Sequence, residues 1–244
     1  MESAIRPVVA DDHARLMQIA AEGDFNDCDS RYLSFVASAG RLLCSTTDGE
    51  VVGFAGTVMA GEVAMVTDLF VANAARGKGV GGRLLAELLS GRPRCMTFSA
   101  QHPGALAAYR RVGLVARGRM LYLSGTALGG GSPLLPAAWT HGRDDLVSHF
   151  ANQGALVTAN SVVSVTDGEV DVLRLDAPSA IDECRQVLRA FDAGTKVTIY
   201  VPEQHPLAGW LLEHDFAVTD RDVLCTSSGA ELPPTLAALH PGLS

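Results

Sequence analysis

Three β-rich runs, Arg41–Thr47, Val51–Ala60 and Glu62–Ala72, are separated by Asp48-Gly49 and Ala60-Gly61, dipeptides that turn a chain back on itself. They predict an antiparallel meander. Upstream, Asp11–Ala21 and Ser30–Ala39 carry their apolar residues at amphipathic spacing and predict two short helices. Downstream, Val80, Leu84, Leu85, Leu88 and Leu89 recur at helical spacing and stop near Gly91 and Pro93. A strand over Arg94–Ala100, a helix over Pro103–Val112 and a strand over Val115–Leu123 complete the first half. This order predicts an α/β domain built on a mixed sheet.

The second half repeats part of that order. Gly61-Glu62-Val63 opens a strand in one half and Gly168-Glu169-Val170 in the other. Likewise Thr97–Leu123 and Thr198–Thr226 each hold a strand, a His-Pro pair, a helix and a further strand. Between them, Thr126–Pro136 (TALGGGSPLLP) is the one place where Gly, Ser and Pro crowd together. The expected division is therefore a domain over 1–125, a linker over 126–136 and a smaller domain over 137–244. A long surface loop inside one domain is the other way to read the same stretch.

Composition narrows the class. The 244 residues are 48% hydrophobic and 19% charged, ordinary for a globular protein. No run of 18 uncharged apolar residues exists, so no membrane partner is expected. The start, MESAIRPVVADDHARL, lacks a basic cluster ahead of an apolar core, and the chain is expected to be cytoplasmic. The net charge of −8 is uneven: 1–125 carries +1 and 126–244 carries −9. Neither half shows the basic face that nucleic acid requires. Cys28, Cys44, Cys95, Cys184 and Cys225 are scattered, without metal-ligand spacing, and are expected to be reduced core thiols. Trp139, Trp210, His141, His149, His205 and His214 likewise show no ligand spacing and are read as packing or surface groups, so no metal is expected.

The candidate chemistry lies in Asp68–Leu85, DLFVANAARGKGVGGRLL: a strand, a loop with Gly77, Gly79, Gly81 and Gly82, and a helix. Glycines let backbone N–H groups approach a ligand, and a helix N-terminus favours negative charge, so the loop suits a phosphate. Arg76, Lys78 and Arg83 could add charge there. Gly-Lys-Gly at 77–79 lacks the hydroxyl of a nucleotide-hydrolase loop. Gly77-x-Gly79-x-x-Gly82 satisfies a dinucleotide fingerprint, yet Thr97–Gln101 offers no acid for a ribose and the preceding strands form a meander.

Arg76-Gly77-Lys78-Gly79-Val80-Gly81, read as R-x-x-G-x-G after Leu69-Phe70-Val71, resembles the pyrophosphate loop of the GNAT superfamily of acyl-CoA-dependent N-acyltransferases. Ala105-x-x-x-Tyr109-x-x-x-Gly113-Leu114 follows where that family has a tyrosine-bearing helix and then Gly-Phe. The resemblance covers about 4–124 and implies a tandem protein whose second half is a degenerate form of the same fold. It implies acetyl-CoA as cosubstrate, with the backbone around Phe70, Val71 and Ala72 against the pantetheine arm and the N–H groups of Lys78, Gly79, Val80, Gly81, Gly82 and Arg83 around the pyrophosphate. The acceptor it implies is a small-molecule or peptidyl amine.

Acyl transfer to an amine needs a base, oxyanion stabilisation and a proton for the leaving thiolate. By resemblance Tyr109 protonates the thiolate; its place on the stripe Ala105, Ala108, Tyr109, Val112 also suits a core aromatic. Asp68 is the first candidate base, with Glu62, Asp24 and Asp27 behind it, and the strand N–H groups near Phe70–Val71 would hold the oxyanion. His102 stands where the family has Asn and could bond pantetheine or simply start a helix. By resemblance the helices Asp11–Ala21 and Ser30–Ala39 line the acceptor side, where Phe25, Asp27, Arg31 and Tyr32 suit many amines, small or peptidic. After Val170–Leu175 the second half runs Asp176-Ala177-Pro178-Ser179 with no glycine loop, so no CoA is expected there; its acids could attract a cationic amine. A catalytically silent acyl-CoA-binding or scaffolding protein is the alternative.

Overall fold

The computed structural model describes residues 3–26 and 28–240. It divides into two compact units, Met1–Ala116 with Cys225–Ala230, and Arg117–Leu224 with Glu231–Ser244.

The first unit runs β1 (Ser3–Pro7), α1 (His13–Ala21), α2 (Ser30–Ala39), β2 (Gly40–Thr47), β3 (Glu50–Ala60), β4 (Val63–Val71), α3 (Val80–Leu88), β5 (Cys95–Ser99) and α4 (Pro103–Arg111). Strand order is β1-β2-β3-β4-β5, antiparallel except for the last pair. Asp48 (φ 49°) and Gly49 (φ 87°) close the β2–β3 hairpin with two left-handed residues, the geometry that matches strand twist. Asp29 caps α2 by accepting the Tyr32 N–H at 2.7 Å. The predicted stripe of α3 is its buried face, with Val80, Leu84, Leu85 and Leu88 turned inward. β1 was not legible in the pattern because its five residues are exposed or half-buried.

A bulge in β4 shapes the site. Gly56 pairs with Asp68 and the next residue, Thr57, with Val66, so Thr67 is an extra residue without a partner on β3. On the other side, parallel pairing with β5 covers Ala64↔Cys95, Met65↔Met96 and Val66↔Thr97 and ends there. The Thr97 hydroxyl donates to the Val66 carbonyl at 2.9 Å where the strands part. Beyond it, the edge of β4 from Thr67 to Val71 pairs with no strand of the described residues.

The second unit holds β6 (Val115–Thr126), α5 (Asp144–Ala151), β7 (Leu156–Val157), β8 (Ser161–Thr166), β9 (Glu169–Asp176), α6 (Ala180–Ala190), β10 (Lys196–Pro202), α7 (Pro206–Leu212), β11 (Ala217–Thr226) and β12 (Leu236–Leu239). Its order is β11-β6-β10-β9-β8-β7. The repeat is structural. Val163 pairs with Val172 and Val162 with Arg174, which leaves Leu173 as the bulge, and parallel pairing with β10 ends at Val172↔Ile199. Counted from the bulges, Arg174 stands at the position of Asp68, one residue off the Gly-Glu-Val alignment. His102 and His205 both cap their helices, Nδ1 accepting the N–H of Gly104 (3.2 Å) and Leu207 (3.1 Å). Leu114 donates to the Tyr109 carbonyl as Phe216 does to that of Leu211, so Leu211 stands for Tyr109.

One difference separates the repeats. In the second unit, β12 lies along β9 past the parting point, pairing Leu236↔Asp176, Ala238↔Leu175 and Leu239↔Arg174, with all four of its residues buried. The chain's own strand fills the gap that stays open beside β4.

The units do not follow the expected division after Gly125. β6, which ends the first repeat, is packed from Arg117 onward in the second unit, where Leu121 and Leu123 share a core with Val197 and Ile199. Conversely, Cys225–Ala230 belongs to the first unit, where Ser227 and Cys95 exchange hydrogen bonds of 2.8 and 2.9 Å. The expected linker is also part of the second unit. Ala127 and Leu134 are core residues, and the N–H groups of Ala127, Leu128 and Gly131 bond Thr195, Leu188 and Arg189 carbonyls. Two of its three glycines serve close approach: a Cβ on Gly129 would sit 2.9 Å from Ala193, and one on Gly131 would sit 2.7 Å from Arg189.

Candidate active site

The bulge at Thr67 turns Asp68 into the unit, where the residue is 2% exposed. Its Oδ2 accepts from the Tyr32 hydroxyl at 2.8 Å and the Thr67 hydroxyl at 2.7 Å, while Oδ1 is buried without a hydrogen-bond partner. Burial raises the Asp68 pKa to about 6, against the opposing effect of the two hydroxyls. Tyr32, desolvated beside this carboxylate, is held well above its ordinary pKa, and Cys28 is pushed up to about 12 by burial and then by Asp68. Gly56 makes room for the arrangement, because a Cβ there would come within 2.9 Å of Asp68 Oδ2 and 2.8 Å of Thr67 Oγ1. Around it, Phe25 meets Tyr32 edge-on at 5.6 Å and stacks on Phe70 at 5.7 Å, and Phe70 stacks on Phe54 at 5.4 Å.

The open edge of β4 supplies backbone groups. Ala72 donates its N–H to Val52 at 2.9 Å and is thereby committed to β3. Antiparallel alternation then turns the Phe70 N–H to β3 as well, and those of Leu69 and Val71 to the unpaired edge. Of the three positions expected to meet a pantetheine arm, Val71 alone presents its N–H.

At the end of β4 the glycine loop forms the start of α3. Gly77 and Gly79 both adopt φ 77°, a left-handed conformation. Among the described residues, no acceptor takes the N–H groups of Lys78, Val80, Gly81 or Gly82; the first α3 donor with one is Arg83, bonded to the Gly79 carbonyl at 3.2 Å. Val80 is buried, whereas a Cβ on Gly77 or Gly82 would meet nothing within 4 Å. The result is a set of free donors at a helix start, able to hold a pyrophosphate. The cations divide in role: Arg76 braces the loop, Nε to the Val71 carbonyl (3.0 Å) and Nη2 to that of Glu22 (3.3 Å). Lys78 and Arg83 are exposed beside it, touching the Ala74 carbonyl (2.8 Å) and the Ser3 hydroxyl (3.3 Å).

The remaining candidates scatter. Glu62 is an exposed ion-pair partner of Arg94 at 2.7 Å, Asp24 is an exposed turn residue with φ 64°, and Asp27 lies outside the described residues. Tyr109 is the buried residue of α4, and His102 is engaged as that helix's cap. Sequence reasoning missed the partnership of Tyr32 with Asp68. A charge set inside the apolar strand VAMVTDLFV was the available signal, since such a group is buried only with partners. All five cysteines are free and buried. Among the described residues no group of three or more His, Cys, Asp or Glu gathers as for a metal, and no helix is long and apolar enough to cross a membrane.

Residues 33–114 match the family described as acetyltransferase (GNAT) domain. The structure resembles a candidate acetyltransferase from Pyrococcus horikoshii, with TM-score 0.80 and 15% identity over 99% of this chain and 96% of that one. It also resembles GCN5-related N-acetyltransferases from Kribbella flavida (0.58, 18%, covering 92% and 71%) and Sphaerobacter thermophilus (0.54, 15%, covering 94% and 98%). At these identities the likeness is one of fold. No curated protein matches the sequence.

Proposed function

We propose, from the match of residues 33–114 to the acetyltransferase (GNAT) domain family and from the likeness of fold, that this chain transfers an acetyl group from acetyl-CoA to a primary amine by direct attack in a ternary complex. The observation that carries the reading is the adjacency along one strand of three features. These are the free N–H groups of Lys78–Gly82, the unpaired edge of β4 at Leu69 and Val71, and buried Asp68 with its pKa near 6. The donors and the glycines' open space fit a pyrophosphate, and the edge fits an extended amide-bearing arm.

Acetyl-CoA supplies an acyl group activated as a thioester. Asp68 Oδ1 is placed to accept a proton from the acceptor's ammonium, and a base near 6 works closer to neutral pH than an ordinary carboxylate. Tyr32 and Thr67 hold Oδ2, which fixes the orientation of Oδ1. The Val71 N–H at the open edge is available to the developing oxyanion. The amine nitrogen bonds the acyl carbon as the carbon–sulfur bond breaks, and the Tyr109 hydroxyl returns a proton to the thiolate.

Calorimetric titration of the full chain with acetyl-CoA, with NADH as control and Gly82→Glu as the blocked loop, tests the reading. One acetyl-CoA per chain, lost in the variant, supports it, and acetylation of a member of a primary-amine panel completes it. Binding without turnover on the panel would favour a silent acyl-CoA-binding protein, and no binding by the folded chain would overturn both.

A further inference from the structure

The second unit buries two opposite charges, each with one buried atom that lacks a hydrogen-bond partner. Arg174 is 6% exposed and Asp176 is 5% exposed, both on β9. The bulge at Leu173 reverses the strand's alternation: Val170 and Val172 face the unit's core before it, Leu175 and Ala177 after it. Arg174 and Asp176 therefore share the opposite face, roughly 6.6 Å apart along the strand. Among the described residues no hydrogen bond or ion pair joins them. Arg174 Nε and Asp176 Oδ1 are both buried without a hydrogen-bond partner. Leaving such groups unpaired in a protein interior is costly, so their retention calls for a physical reason.

The surroundings are built for recognition. Arg174 Cζ lies 5.9 Å from the centre of the Trp139 ring, and Trp139 meets His141 edge-on at 5.0 Å. His141 Nδ1 is 3.8 Å from Asp176 Oδ1, and its Nε2 is tied to Asn160 Oδ1 at 3.0 Å. Asn160 in turn bonds Glu183 at 3.2 Å. Desolvation, with Arg143 nearby, brings the Arg174 pKa down to about 10, still charged at neutral pH. The guanidinium thus offers its unused Nε–H donor, and the carboxylate its unused Oδ1 acceptor, beside an aromatic wall.

We propose that the second unit is a binding module for a small zwitterion of the α-amino-acid type, its carboxylate taken by Arg174, its ammonium by Asp176, its apolar part lying against Trp139. One ligand with both charges satisfies both buried groups, which neither an anion nor a cation alone would do. The placement explains why the second copy of the fold persists without a glycine loop and with β12 in its gap. At the position where the first unit keeps Asp68, the second keeps the reverse charge and a different ligand.

The test uses the full chain without acetyl-CoA, in a Trp210→Phe background that leaves Trp139 as the single tryptophan. Glycine, L-alanine, L-leucine, L-glutamine and L-phenylalanine are titrated against Trp139 fluorescence and thermal midpoint, with sodium acetate and ethylamine as controls. The expected result is saturable binding of at least one amino acid, weakened tenfold or more by Arg174→Met and by Asp176→Asn, and unchanged in Asp68→Asn. That last variant separates this site from the proposed active site, so either reading can fail alone. Two variants guard against one that does not fold, and the wild-type thermal shift needs neither. No binding by any of the five, binding that survives both variants, or acetate binding as tightly as the amino acids would each overturn the proposal.

Discussion

Arg174 occupies, counted from the bulge of its strand, the position that Asp68 holds in the other repeat. Both are buried, and the two sites differ in everything the charge dictates. Asp68 is satisfied on one oxygen by Tyr32 and Thr67 and lies beside an open strand edge, whereas Arg174 has an Nε without a hydrogen-bond partner and lies beside an edge covered by β12. The same backbone device thus holds two environments of opposite charge.

If Asp68 is the base, activity follows its ionisation. The wild-type kcat/KM is expected to fall on the acid side through about 6, the raised value of this carboxylate. Asp68→Asn should lose that limb and about 10²–10⁴-fold in kcat/KM. A pH–rate profile of both proteins checks this.

Tyr32→Phe removes a donor that favours the ionised carboxylate. The acid limb should therefore move to higher pH, and stability should fall by about 1–2 kcal/mol for a lost buried hydrogen bond. Denaturant unfolding and the same pH profile separate the two effects.

Asp68 also makes a stability prediction with a definite sign. Its folded pKa is raised from 3.8 to about 6, so its neutral form is the one the fold favours. The stability it contributes is present below about 3.8 and is lost as pH rises through about 6. Asp68→Asn should gain on the wild type between pH 4 and pH 7, by up to about 3 kcal/mol. Thermal unfolding at the two pH values measures it.

Tyr109→Phe is expected to lower turnover with little change in acetyl-CoA affinity, because the hydroxyl acts only on the leaving thiolate. An unchanged kcat would take Tyr109 out of the mechanism.

Leu239 is 1% exposed on the strand that covers β9. Leu239→Ala should cost about 2–5 kcal/mol, as core truncations do. A midpoint shift in urea, without change in the acetyl-CoA titration, would place the loss in the second unit.

Local pattern determined most of the elements. Helices expected over Asp11–Ala21 and Ser30–Ala39 and a meander over Arg41–Ala72 correspond to α1, preceded by a short turn, to α2 and to β2–β4. The glycine loop was legible too, because left-handed backbone and a helix start leave marks in residue type. What the sequence hid was long-range. A bulge changes which face a residue occupies without changing composition, so Thr67 and Leu173 looked like ordinary strand positions. Strand membership depends on partners far along the chain, so β6 and Cys225–Ala230 were assigned to the repeats they follow rather than the units they complete. Gly129 and Gly131, expected in a linker, sit where the backbone is closely packed. By itself the sequence determined periodicity, turns and the glycine loop, which are set by neighbours a few residues away. Only the tertiary structure decided which carboxylate is buried, which strand edge stays open and which charges lack a partner, because those depend on residues that the chain brings together from a distance.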